Sequence, residues 1–96
     1  MQVIYHRLAE EELVNAAQFY EQALLGLGTR FLDSVDVVVQ RVQQNYEWFE
    51  IIEEDIRRAS IPEFPYSLFF RLAVGYVRIL AVKHNSRATD YWKHRR

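Results

Sequence analysis

Arg71, Arg78, Lys83, His84, Arg87 and Tyr91 carry most of the chemical potential of this 96-residue chain. His84 and Tyr91 are groups able to move a proton, while the arginines and Lys83 supply fixed positive charge for an anion. Their relative placement follows from Val74-Gly75, which predicts a two-residue hairpin loop because Gly75 accepts a positive φ. With that loop Ala73 faces Tyr76, Leu72 faces Val77, Arg71 faces Arg78 and Phe70 faces Ile79. Alternation along the strands predicts one apolar face of Tyr66, Leu68, Phe70, Leu72, Val77, Ile79 and Ala81. The other face takes Ser67, Phe69, Arg71, Tyr76, Arg78, Leu80, Val82 and His84. Two arginines directly opposite one another repel, and an anionic partner for that face removes the cost.

The elements that position these residues follow in order. Val3-Ile4-Tyr5 predicts a strand over residues 2–6. From Ala9 the period becomes helical, with Leu13, Ala16, Ala17, Tyr20 and Leu24 on one face and Glu10, Glu11 and Glu12 in the first turn, where carboxylates suit the helix dipole. Gly26-Leu27-Gly28 predicts a stop and a turn. Thr29 is the expected cap of a second helix, whose buried face is Phe31, Leu32, Val35, Val38, Val39 and Val42, ending at Asn45-Tyr46. Residues 47–55 predict a loop with an extended piece from Phe49 to Ile52. Ile56 to Ser60 predicts a short strand that sends Arg57 and Arg58 to opposite faces. Pro62 and Pro65 bound a connection into the hairpin, and Ala88 to His94 predicts a short final helix. The fold class is α+β: an N-terminal strand, a helical hairpin, then an antiparallel sheet with a short C-terminal helix.

Composition bounds the function. Ninety-six residues predict a single domain, 1–96, with its own core. The absence of cysteine excludes disulfides and thiolate chemistry and fits a reducing cytoplasm. The N-terminus lacks a secretion pattern, and Arg71 and Arg78 interrupt the longest apolar region, so no membrane span is expected. His6, His84 and His94 lack metal-ligand spacing, and no glycine-rich phosphate loop exists, so neither metal nor cofactor is expected. Net charge is −1, yet residues 1–55 hold eleven acids against three arginines, −8, and residues 56–96 hold nine bases against two acids, +7. That split predicts a local basic surface facing an acidic partner, or pairing of the two halves within the fold.

His84-Asn85-Ser86-Arg87-Ala88-Thr89-Asp90-Tyr91-Trp92, followed by Arg95, resembles the C-terminal signature of the RelE/ParE toxin superfamily in its plasmid-stabilisation branch, roughly H-x-x-R-x-P-x-Y-W-x-x-R. Arg57-Arg58 and Phe64-Pro65-Tyr66 match the family's pattern before the hairpin, and Glu12-Leu13, Ala16-Ala17, Phe19-Tyr20-Glu21 and Gly26 to Phe31 resemble its helical half. Thr89 and Tyr46 stand where proline is common.

The resemblance implies the toxin of a type II toxin–antitoxin pair with a cognate antitoxin as partner. Family members target either DNA gyrase or the ribosome and its mRNA. If the chain is a nuclease, the implied catalytic set is Arg71, Lys83, His84, Arg87 and Tyr91. The translational toxins add basic residues in two regions. Arg57-Arg58 partly meets the first, whereas Asn85 occupies the second, so the resemblance favours the gyrase-directed, ParE-like branch. Alternatives are a ribosome-dependent endoribonuclease and a non-toxic binding module. His84 is expected to close the sheet end through a hydrogen bond to Tyr91 or a carbonyl. The expected surface for target or antitoxin is Arg58, Phe69, Arg71, Tyr76, Arg78, Arg87, Trp92 and Arg95, which suits an acidic amphipathic tail.

Overall fold

The β-branched and aromatic start of the chain forms β1 (Gln2–Tyr5) in a computed structural model that describes residues 1–88 and 90–96. His6 turns the chain into α1 (Arg7–Ala23); its Nδ1 accepts the Leu8 N–H at 3.0 Å and satisfies one of the helix's orphan donors. Gly26, at φ 88°, reverses the direction in a left-handed conformation that suits glycine. α2 (Leu27–Asn45) follows at once. Thr29 lies inside this helix and does not cap it. The capping group is Glu21 of α1, whose carboxylate accepts from the N–H of Gly26 at 2.9 Å and of Gly28 at 3.0 Å. A full negative charge answers the positive end of the α2 dipole better than a hydroxyl does.

Phe31, Val35, Val38, Val39 and Val42 are buried as their spacing requires, while Leu32 turns outward. After a single 3-10 turn (Tyr46–Trp48) the chain enters β2 (Glu50–Glu53), one residue later than the extended piece expected from the sequence. β3 (Ile56–Ser60), β4 (Tyr66–Ala73) and β5 (Tyr76–His84) complete a sheet of order β1-β5-β4-β3-β2. The sheet is mixed, not purely antiparallel, because β1 runs parallel to β5, Val3 beside Val77 and Tyr5 beside Ile79. The hairpin register is the expected one, with Arg71 opposite Arg78.

A bulge between Phe69 and Phe70 changes which side chains share a face. Phe70 pairs with Ile79 but Phe69 pairs with Ala81, leaving Leu80 as the extra residue. Val82 therefore joins Leu68, Phe70, Val77 and Ile79 in the core under the helices, while Leu80 and Ala81 join Ile56, Phe69 and Trp92 on the opposite, outer face. This corrects the strict alternation that put Ala81 inside and Val82 outside. A period-two reading holds only until the first extra residue.

Phe64 and Tyr66 close one end of the helix-side core in edge-on contact with Tyr20 and Phe31, at centroid distances of 4.9 to 6.1 Å. On the outer face, the tail after β5 folds back over the sheet. Where a helix was expected over residues 88–94, the tail makes isolated i→i+3 turns, Lys93 N–H to Asp90 and Arg95 N–H to Trp92; residue 89 lies outside the described residues. Burial of Trp92 against Phe69 (4.6 Å between rings) organises this segment more than helix propensity does. Among the described residues no helix is long and apolar enough to cross a membrane.

Candidate functional site

The outer face of the sheet collects most of the residues singled out by the sequence. Arg58, Phe69, Arg71, Tyr76, Arg78 and Lys83 lie there on β3, β4 and β5. Arg57 points the other way, where it donates to the carbonyls of Phe49 (2.8 Å) and Glu47 (3.2 Å) and stacks over Tyr46. The helix acids are not its partners.

The cations of this face find much of their countercharge inside the molecule. Arg71 pairs with Asp55 at 2.9 Å, Arg58 with Glu50 at 3.6 Å, and Lys93 with Glu53 at 2.7 Å and Asp90 at 3.1 Å. Arg78 donates to the backbone oxygen of Arg96 at 3.1 Å and to that of Tyr5 at 3.2 Å. The opposed arginines are thus drawn to different partners, which relieves the repulsion their register imposes. The acidic and basic halves of the chain neutralise one another across this face.

At the side where β1 stops short, Arg95 is buried against Glu12 of α1 with contacts of 2.9 and 3.1 Å. Glu12 also accepts the Val82 N–H at 3.1 Å, and Arg95 donates to the Leu80 carbonyl at 3.0 Å. The Tyr91 ring packs beneath both Arg87 (4.6 Å) and Arg95 (5.1 Å). Its hydroxyl is buried and makes no hydrogen bond of standard length and angle, yet the Glu12 carboxylate is near. Burial first, and the Glu12 charge second, push the phenol up to about 12. Sequence periodicity assigned Glu12 only to the helix dipole. Its spacing of four from buried Ala16 was the available signal that it faces inward.

His84 is displaced by the bulge to the helix side, edge-on to Tyr66 at 5.1 Å, where its Nδ1 accepts from the Ser86 N–H at 3.1 Å. Among the described residues its ring bonds neither Tyr91 nor a carbonyl, although a bond to one of these was expected from the sequence. The would-be nuclease set is accordingly dispersed. His84 and Arg87 border a groove of about 230 Å³ with Glu12, Asn15 and Phe19; Lys83 lines a cavity of about 340 Å³; Arg71 lines a third hollow with His94 and Arg96. Among the described residues no group of acids and histidines is placed to hold a metal ion.

No family model matches the chain, and no curated protein matches it. Among solved structures the fold is similar to a chain of a chromosomal ParDE toxin–antitoxin system from P. aeruginosa, with a TM-score of 0.73 and 19% identity over 88% of this chain and 95% of that one. The protein therefore shares the α+β fold of that chain.

Proposed function

We propose that this chain is the toxin of a type II toxin–antitoxin pair, that it inhibits DNA gyrase, and that a cognate antitoxin neutralises it. The fold shared with the P. aeruginosa ParDE chain supports the toxin reading. The dispersal of the nuclease set supports gyrase inhibition over RNA cleavage. Attack by a 2′-hydroxyl needs a base, an acid and cations within reach of one phosphate, and His84 lies on the wrong side of the sheet for that. Tyr91 stays protonated at neutral pH, and its hydroxyl is buried. In this reading the protein works in the cytoplasm, where gyrase and the antitoxin are found.

Ribosome-dependent mRNA cleavage is the second reading, favoured by Arg58, Lys83 and Lys93 bordering one cavity on the outer face. Pulse-labelling after induced expression separates the two. An early fall in DNA synthesis while translation continues is the expected result. An early fall in translation reverses the ranking, and no change in either points to a non-toxic binding module. Co-expression with a small reading frame encoded beside it, where one exists, tests the antitoxin: a complex that weakens as salt rises is expected for an acidic segment on this face.

A further inference from the structure

The cavity of about 340 Å³ on the outer face is walled by Ile52, Phe69 and Trp92 and rimmed by Glu53, Asp90 and Lys93. Lys83 stands in its lining although only 4% of the residue is exposed. The Lys83 ammonium donates to the His84 carbonyl at 3.2 Å and lies 5.8 Å from the centre of the Phe69 ring. An ammonium has three protons to place, so among the described residues one carbonyl and one ring face leave it short of acceptors. Among the described residues the indole Nε1 of buried Trp92 also lacks a hydrogen-bond partner. Arg58, on the same wall, lies 3.6 Å from an exposed Glu50. Nearby, the Ser67 hydroxyl is already spent on Asn85 at 2.8 Å.

Donors thus outnumber acceptors on the inner wall, and buried donors without partners are costly. A group that only accepts hydrogen bonds and carries negative charge completes this wall. We propose that the cavity is a receptor for a single carboxylate on an apolar stem, the Asp or Glu side chain of a partner polypeptide, with the stem against Ile52 and Phe69. The rim decides against a nucleic acid. Glu53 and Asp90 repel a backbone that brings one charge per nucleotide, whereas a polypeptide brings one carboxylate into the cavity and is otherwise free of charge there. Lys93, held across the rim by Glu53 and Asp90, brackets the entrance between β2 and the tail. This assignment deepens the antitoxin reading, since an acidic antitoxin segment is the partner it fits.

The test uses the full-length, nitrogen-15-labelled protein, whose two tryptophans report separately: Trp92 is buried here and Trp48 is exposed. The probes are N-acetylglutamate N-methylamide, its neutral glutamine counterpart, and the phosphodiester uridylyl-uridine, all at constant ionic strength. The expected result is a saturable shift of the Trp92 indole N–H with the glutamate probe alone, Trp48 staying fixed. Lys83→Met is expected to weaken binding about tenfold or more, as loss of a charged hydrogen bond implies, and Arg58→Gln to weaken it less. No saturable shift, an equal response to the glutamine probe, or tighter binding of the dinucleotide overturns the proposal. If Lys83→Met does not fold, Arg58→Gln and the three probes still decide. Because no antitoxin is involved, a responsive cavity without an antitoxin complex refutes only the partner reading, and a stable complex with a silent cavity refutes only this one.

Discussion

Arg95 and Glu12, 83 positions apart, meet in a two-point ion pair that takes the place of a missing strand. β1 covers β5 only from Tyr76 to Ile79. Beyond it, Glu12 accepts the Val82 N–H and Arg95 donates to the Leu80 carbonyl, so two side chains satisfy backbone groups that a neighbouring strand would otherwise take. The pair ties α1, the sheet edge and the tail together.

Breaking that pair is expected to be costly. Glu12→Leu or Arg95→Leu leaves a buried charge without its partner, a loss of about 3–5 kcal/mol. The double variant Glu12→Leu/Arg95→Leu should lose clearly less than the sum of the two single changes. Urea unfolding of the four proteins checks this; strictly additive losses would show that the two side chains do not act as a unit.

Gly28→Ala tests the helix crossing. In an open helix the change gains roughly 1 kcal/mol. Here the new Cβ would lie 2.5 Å from the Ala17 carbonyl oxygen and 2.9 Å from Glu21 Cβ. The backbone must give way, and the cap supplied by Glu21 with it. A net loss of about 1–3 kcal/mol is expected, and a raised melting temperature would refute the close approach.

His6 gives the fold a pH dependence of known sign. Burial first, and then the nearby Arg78, Arg95 and Arg7, lower its pKa below the ordinary 6.5. The neutral ring is the form that accepts the Leu8 N–H. Its contribution is complete above the unfolded value and is lost as pH falls through the folded one. His6→Asn, which caps without titrating, should therefore lose less stability than the parent between about pH 7 and about pH 5. Parallel denaturation curves at both pH values read the difference.

Tyr91 should resist alkali. Ultraviolet titration is expected to show phenols ionising only near 12, as burial dictates for Tyr91 and for Tyr5. Glu12→Gln removes a negative charge beside Tyr91 and should lower its value while leaving Tyr5 in place. An unchanged curve would mean that Glu12 does not act on the phenol.

The sequence by itself determined the two long helices, the central hairpin and the order of the strands along the chain, but not the tail, where the expected helix does not form. Period 3.6 in Leu13 to Tyr20 and Phe31 to Val42, and Val74-Gly75 between two apolar runs, are local signals that no distant contact reverses. Even the facing of Arg71 and Arg78 follows from the turn alone. The tertiary structure decided what local pattern cannot hold. One extra residue, Leu80, exchanged the faces of Ala81 and Val82 and sent His84 to the helix side. Partners far apart in sequence then fixed the charges: Asp55 on Arg71, Glu53 on Lys93 and Glu12 on Arg95. Period and propensity act over a few residues, whereas the partner of a buried charge is whichever opposite group the packed chain brings within hydrogen-bond reach.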